Sequence, residues 1–154
     1  MLQENFSDLS FDEWLETINT YEDENCTVDF LGPDHAAIMH EGGKNLIVHF
    51  ENHLDINANW REGRPLGWQL ASEEEWSPLS LISRERSWFR DPYVYAYFDR
   101  LIDDGILNNF EKSCLLWKRC GGLCGCCIFS LCPNVSCIAH FSPGYPRPRT
   151  CWLG

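Results

Sequence analysis

Apolar and polar residues recur at helical spacing in one segment whose start, inner face and end can all be predicted. Asp91 is a good N-cap, and Pro92 suits the first helical position, where its missing N–H is not needed. The polar run Asp103–Gly105 is predicted to end the helix, and Tyr95 falls off the apolar stripe and is expected to be exposed. The predicted inner face consists of Val94, Tyr97, Phe98, Leu101 and Ile102.

An earlier helix is indicated by a capping box. Ser10 and Glu13 have the required spacing, and Leu9 and Trp14 stand at the positions of a hydrophobic staple around them. We therefore predict a helix from about Phe11 to Thr20. Its predicted inner face consists of Phe11, Trp14, Leu15 and Ile18.

Four β-prone runs lie between or beside these helices. Turn-forming residues at 32–34 and 41–44 predict that the first three runs are joined by hairpins. The third run is the most apolar, so we expect it to be buried on both faces. The runs are Thr27–Leu31, His35–His40, Asn45–Phe50 and Trp76–Ser83.

The remaining segments complete a mixed pattern. Residues 51–63 are expected to form a polar connection, and a helix is predicted from about Pro65 to Ser72. A further strand is expected to begin near Ser113. After the first helix the predicted order is therefore β-β-β-α-β-α followed by another strand, which is typical of an α/β protein.

Composition adds limits on function. A chain of 154 residues that is 44% hydrophobic and 14% aromatic is expected to fold as one globular domain. The net charge of -11 argues against nucleic-acid binding, which depends on Lys and Arg at phosphates. No run of 18 apolar residues and no signal-peptide pattern is present, so we expect a cytoplasmic protein without a membrane partner.

Charge and cysteine are distributed unevenly. All 23 acidic residues lie at or before Glu111, whereas Cys26 is the only cysteine among the first 112 residues. We therefore divide the chain into a domain at residues 1–112 and a cysteine-rich tail at residues 113–154. The cysteines of the tail are Cys114, Cys120, Cys124, Cys126, Cys127, Cys132, Cys137 and Cys151.

Three segments carry a family resemblance. Pro65–Leu70, Trp76–Ser83 and Ser87–Gly105 resemble a family of alphaproteobacterial α/β-hydrolase-like proteins, and the resemblance covers about residues 6–112. It implies the first half of an α/β-hydrolase-like sheet and, in intact relatives, nucleophilic attack on a small ester or thioester substrate. Members often carry the name phosphoadenosine phosphosulfate reductase. That name gains no support here, because Cys26 is expected to be a buried structural thiol rather than an activated one.

The catalytic turn that the resemblance implies is absent. An α/β hydrolase carries its nucleophile on a G-x-S-x-G turn directly after the strand expected near Ser113. Residues 113–127 instead read SCLLWKRCGGLCGCC. The acid and histidine of the family would lie beyond the end of this chain, so we expect no catalysis, and no catalytic residue is assigned.

A one-nucleotide frame slip near the codon for Lys112 would explain both the absent turn and the unusual composition. Read one nucleotide forward, every Cys codon yields Val or Ala and every Trp codon yields Gly. Residues 113–119 can then read V-V-F-Y-G-S-G. Residues 124–129, taken with the preceding leucine codon, can read Y-A-A-A-A-F, and residues 142–154 can read P-Q-A-T-L-D-P-E-R-A-G-W. The hypothesis predicts that the tail is poorly ordered and that the N-terminal part lacks its central strand.

The cysteines and histidines of the chain raise the possibility of a metal site or of disulfides. Cys124 and Cys127 have C-x-x-C spacing, so the alternative is a small acidic interaction protein with a zinc-binding tail, although the other cysteine spacings match no common framework. An odd cysteine count and the absent signal peptide argue against a disulfide-linked secreted tail. We assign no metal site and no cofactor. The four histidines considered and set aside as metal ligands are His35, His40, His49 and His53.

Three further features have ordinary explanations. By position, Phe50 or Glu51 would supply an oxyanion-hole N–H in a hydrolase, but the following residues lack the glycines of that loop. Arg90 could pair near the end of the sheet, and His49 is expected to be a satisfied sheet histidine on the same face as Ile47. The acidic run at residues 73–75 is read as a solvated helix end.

Overall fold

A computed structural model describes residues 6–20, 25–58, 63–65, 68, 76–117 and 135–139. The helices are α1 (Phe11–Thr20), α2 (His53–Ala58) and α3 (Pro92–Asp103), and a 3-10 helix spans Ile106–Asn109. The strands are β1 (Cys26–Leu31), β2 (His35–His40), β3 (Asn45–Asn52), β4 (Trp76–Ser83), β5 (Lys112–Trp117) and β6 (Val135–Ala139).

The strands form one mixed sheet in the order β1-β2-β4-β3-β5-β6. Strand β2 is antiparallel to both of its neighbours, whereas β3 is parallel to β4 and β5, and β5 is parallel to β6. The mixed α/β class predicted from the sequence is confirmed. The predicted hairpin between β1 and β2 is also confirmed.

The predicted hairpin between β2 and β3 is wrong. Strand β2 pairs instead with β4, in a register that sets Ala37 opposite Leu81. Strand β3 is buried along almost its whole length, on both faces of the sheet. Such a strand belongs in the interior of a sheet with parallel neighbours and covered faces, and it takes that position between β4 and β5.

The strand expected near Ser113 is present as β5. It begins at Lys112 and pairs with β3 so that Cys114 lies opposite Ile47. This pairing corrects the expectation that the N-terminal part lacks its central strand. The main chain of β5 thus satisfies one edge of β3. Residues 118–134 and 140–154, on which the expected disorder of the tail falls, lie outside the described residues.

Helix α3 covers one face of the sheet. Its cap is as predicted, since the Asp91 carboxylate accepts a hydrogen bond from the Tyr93 N–H at 2.8 Å. Ile102 was predicted to face inward but is 40% exposed. Successive helical residues are about 100° apart, so Ile102 lies on the flank of the stripe that Leu101 continues. The core on this face contains Leu46, Val48, Phe50, Leu79, Leu81, Val94, Tyr97, Phe98 and Leu101.

Helix α1 covers the opposite face with the inner residues that its pattern predicts. Trp14 is 0% exposed, and its indole Nε1 donates a hydrogen bond to the Gly63 carbonyl at 2.8 Å. Ser10 and Glu13 form the predicted capping box. The core on this face contains Phe6, Phe11, Trp14, Leu15, Ile18, Ala36, Ile38, Ile56 and Ile82.

Helix α2 replaces the polar connection predicted after β3. Asn52 Oδ1 accepts a hydrogen bond from the Asp55 N–H at 2.8 Å, and Asn52 Nδ2 donates to Asp55 Oδ2 at 2.9 Å. The sequence analysis did not predict this helix, although Asn52 and Asp55 have the spacing of a reciprocal cap and Ile56 is apolar and buried. The helix predicted at Pro65–Ser72 falls mostly outside the described residues.

Replacing Trp14 with Phe is expected to destabilise the fold. The change leaves the Gly63 carbonyl without its indole donor and removes buried volume, so the free energy of unfolding should fall by roughly 1.5 to 3 kcal/mol. Urea denaturation followed by circular dichroism measures this. Glu16→Gln, on the exposed side of the same helix, is the control and should change stability by less than about 0.5 kcal/mol.

Alanine variants of two glycines with the same backbone conformation can distinguish the cost of backbone strain from the cost of a steric clash. Gly32 and Gly105 have φ of 69° and 68°, but only at Gly32 would a Cβ meet the Tyr93 ring, 2.5 Å away. Gly105→Ala should cost roughly 1 to 2 kcal/mol from backbone strain alone, and Gly32→Ala roughly 1 to 3 kcal/mol more. Adding Tyr93→Ala should remove the excess; equal costs for the two glycine variants would contradict the clash.

Candidate functional site

The arrangement of the strands marks one edge of the sheet as a candidate site. The connection that leaves β3 leads to β4 on one side, whereas the connection that leaves β5 leads to β6 on the other. Because β3 and β5 are parallel, their carboxyl ends meet at the same edge, where Phe50 lies opposite Trp117. In open α/β sheets, ligands bind outside the carboxyl ends of strands at such a switch point.

The sequence predicted a loop after Phe50, but the structure has no loop there. Phe50 and Glu51 are both within the strand, which runs to Asn52 and passes directly into α2. His53, expected in a loop, is the first residue of that helix. Glu51, Asn52 and His53 are all buried, so the carboxyl end of β3 carries three consecutive buried polar side chains.

A buried Ser-His-Glu row lies across β4 and β3. His49 Nε2 is 2.7 Å from Ser80 Oγ, and His49 Nδ1 is 3.8 Å from Glu51 Oε2. Serine, histidine and glutamate are the residue types that serve as nucleophile, base and acid in a catalytic triad. However, Ser80 is 0% and His49 1% exposed, so a substrate cannot reach the hydroxyl. His49 is a buried sheet histidine, as predicted, and its Nε2 is satisfied by Ser80, whereas its Nδ1 lies at ion-pair rather than hydrogen-bond distance from Glu51.

A second Ser–His pair lies near the same edge but closer to the surface. His35 begins β2 opposite Ser83 at the end of β4, and its Nε2 is 3.0 Å from Ser87 Oγ in the segment that follows β4. Burial lowers the pKa of His35, while the nearby carboxylates of Asp91 and, to a lesser extent, Asp34 act in the opposite direction. The ring of His35 is therefore held mainly neutral and can accept a proton.

Arg84 connects three segments at this edge. Its guanidinium donates two hydrogen bonds to the Asp12 carboxylate at 2.8 and 2.9 Å, and one to the Pro33 carbonyl at 2.9 Å. Hydrogen bonding from Arg84 lowers the pKa of Asp12. The same guanidinium lies 4.7 Å from the centroid of the Phe11 ring. The end of β4 is thereby tied to the start of α1 and to the β1–β2 turn.

His53 lies between two aromatic rings of α1. Its ring centroid is 5.6 Å from that of Phe11 and 5.4 Å from that of Trp14. Burial, followed by the positive charge of Arg84, lowers the pKa of His53. This histidine is part of the packing between α1 and α2, which the sequence reading did not foresee.

The cysteines and the other residues singled out from the sequence are dispersed. Cys26 is only half-buried in β1, which corrects the expectation of a buried thiol, whereas Cys114 in β5 is buried. Among the residues that the structure describes, no group of three or more His, Cys, Asp or Glu could hold a metal ion. The C-x-x-C pair at residues 124–127 and the acidic run at residues 73–75 lie outside those residues.

Within the described ranges, the helices are too short or too polar to cross a membrane. No protein-family model, curated protein or solved structure matches the chain.

Acidification is expected to destabilise the protein through two of its buried histidines, His35 and His53. The pKa values of His35 and His53 are lowered in the folded state, so below the ordinary value of 6.5 the unfolded chain binds more protons. Stability should therefore fall as pH drops below 6.5, until both folded-state pKa values are passed. Urea denaturation between pH 7.5 and pH 5, at about half-unit steps, measures this slope.

The control for this pH dependence is a variant at one of the two sites. His53→Phe keeps an aromatic ring between Phe11 and Trp14 but cannot bind a proton. It should lose part of the acid destabilisation seen in the unmodified chain. An unchanged slope would show that His53 does not contribute.

Proposed function

We propose that residues 6–117 are the N-terminal half of an α/β-hydrolase-like sheet. In its complete form this protein would act on a small ester or thioester by nucleophilic attack. The observation that carries the proposal is the parallel pairing of β3 with β5 at the switch point of the sheet. The family resemblance of Ser87–Gly105 and its neighbours points the same way.

The pairing supports this proposal because acyl transfer would use two main-chain segments, one after each of the paired strands. In a hydrolase of this type, the nucleophile stands on the turn after the strand equivalent to β5, and its main chain supplies one oxyanion N–H. The second N–H comes from the segment after the strand equivalent to β3. Phe50 lies opposite Trp117, the last residue of β5, and β3 continues for two more residues before α2 begins, so both segments lie at the same carboxyl edge. An ester carbonyl placed there could be attacked and stabilised at once.

The chain as written does not supply the nucleophile at this position. Lys118, Arg119 and Cys120 follow β5 where the glycine-serine turn is needed. We propose that a one-nucleotide frame slip near the codon for Lys112 replaced the turn. An apolar strand is retained on either reading, because S-C-L-L-W and V-V-F-Y-G are both β-prone. On this proposal the chain has no hydrolase activity at the β5 turn.

The test begins with resequencing the coding DNA across the codons for Phe110–Cys120 and translating both frames. We expect one extra or missing base and a longer product that continues through G-S-G. The restored protein and the present chain are then compared for hydrolysis of p-nitrophenyl acetate and of an acetyl thioester. The restored protein should be faster by a factor of at least about 100.

The matched control is the restored protein with the serine of the G-S-G turn replaced by Ala. It should fold with unchanged circular dichroism and lose the added activity. A confirmed DNA sequence whose other frame soon stops would overturn the frame slip. A restored protein with no serine-dependent activity would overturn the hydrolase proposal itself.

The second candidate is an acidic interaction protein whose tail binds zinc. It is favoured by the C-x-x-C spacing of Cys124 and Cys127 together with the density of cysteines around them. Metal analysis of the purified full chain separates the candidates. One zinc per chain, released when the thiols are modified, would support the interaction protein, and a zinc content near zero would exclude it.

A further inference from the structure

We propose that Ser87 is a nucleophile activated by His35, and that it accepts the acyl or phosphonyl group of a small activated ester. The pair uses only residues that precede β5. Its test therefore does not depend on the turn after β5 or on the proposed frame slip.

The geometry is that of a serine beside its base. Ser87 Oγ lies 3.0 Å from His35 Nε2, within the range for a hydroxyl that donates to a neutral imidazole. The Phe89 N–H donates a second hydrogen bond to the same oxygen, also at 3.0 Å. This bond fixes the position of Oγ and leaves its proton directed towards the imidazole.

Accessibility distinguishes this pair from the one inside the sheet. Ser80 and His49 are closer together, at 2.7 Å, but both are fully enclosed between the sheet and the helices that cover it. Ser87 is half-buried, and Arg86, Trp88 and Arg90 around it are exposed. Of these two Ser–His pairs, which have similar hydrogen bonds, the pair at Ser87 is the one that a molecule from solution can meet.

The charges around His35 suit a general base. Transfer of the hydroxyl proton makes the imidazole positive, and the carboxylates of Asp91 and Asp34 favour that form. Asp34 is itself 3.4 Å from the Arg84 guanidinium, which reduces its effect. Asp91 is thus the larger of the two negative influences that favour the imidazolium; it acts through its charge, while its Oδ1 accepts the Tyr93 N–H at the start of α3.

The backbone beside Ser87 is strained in a way that fixes the pair. Phe89 has φ of 55°, a left-handed conformation that costs a non-glycine residue roughly 1 to 2 kcal/mol. Packing holds it there, because the Phe89 ring lies 5.0 Å from the Phe50 ring and 5.5 Å from the His35 ring. Strain that the surrounding core imposes is a recurrent feature of functional turns.

The reaction used as a probe is phosphonylation by an alkyl phosphonofluoridate. Ser87 Oγ attacks phosphorus, the Oγ–P bond forms, and the P–F bond breaks. The Oγ proton passes to His35 Nε2, and fluoride leaves with the electron pair of the broken bond. The imidazolium then releases its proton to water, so the products are the Ser87 phosphonate ester, a fluoride ion and a solvated proton.

The experiment incubates the full chain with the phosphonofluoridate and locates the adduct by peptide mass spectrometry. We expect a single adduct at Ser87 that is lost in Ser87→Ala and retained in Ser80→Ala. In His35→Gln, whose amide can keep a hydrogen bond to the hydroxyl but cannot act as the base, the rate should fall by a factor of about 100. Circular dichroism checks that each variant is folded.

The pH profile of labelling tests the base role more directly. The rate should rise with pH as His35 loses its proton. Asp91→Asn retains the helix cap but removes the carboxylate that favours the imidazolium, so it should move the profile to lower pH. This variant also keeps the proposal testable if His35→Gln does not fold.

Three outcomes would overturn the proposal. They are the absence of an adduct at Ser87 in the folded chain, a labelling rate in folded His35→Gln equal to that of the unmodified chain, and a profile that does not move in Asp91→Asn. If Ser87 serves only as the hydrogen-bond acceptor that closes the turn at Phe89, Asp91→Asn would leave the pH profile of labelling unchanged.

Discussion

The parallel pairing of β3 on both of its edges is the constraint on which the rest of this structure depends. Strand β3 is buried on both faces, so its edges need hydrogen-bonding neighbours and its faces need helices. Strands β4 and β5 provide the edges. Helix α3 covers the face that carries Val48, and helix α1 covers the other face. Once this arrangement exists, the carboxyl ends of three parallel strands must lie at one edge of the sheet.

The same edge collects polar residues that are distant along the chain. The Ser80–His49 pair lies within the sheet, and the Ser87–His35 pair lies beyond the end of β4. The two pairs are similar in chemistry and differ in what covers them. Burial turns one into a structural hydrogen bond inside the core, whereas the half-buried position of the other leaves a hydroxyl that a small molecule can approach.

The position of β5 shows how a sheet can accept a segment of unusual composition. Hydrogen bonds along a strand are made by the main chain, so they place few demands on side-chain identity. The run that begins at Lys112 is apolar and β-prone, which is sufficient for the edge of β3. The turn that follows is different, because a nucleophile turn needs glycines and a serine at fixed positions. The frame slip proposed above would therefore retain the strand and remove the glycine-serine turn.

The sequence by itself determined the elements whose signals are local. The cap at Asp91, the capping box at Ser10 and the apolar stripes of α1 and α3 gave their bounds, because caps and periodicity act within a few residues. The burial of His49 and the strand near Ser113 were also predicted. The inward position expected for Ile102 was wrong, and α2 was missed because its cap at Asn52 lay in a segment read as polar.

Only the tertiary structure decided the strand order and the candidate site. The turn residues after β2 predicted a hairpin, but burial of β3 on both faces placed β4 between β2 and β3. The contact of His35 with Ser87 joins residues separated by 52 positions, and no local pattern encodes it. Such contacts arise when strands pair over long sequence separations, so they depend on the whole sheet rather than on either segment.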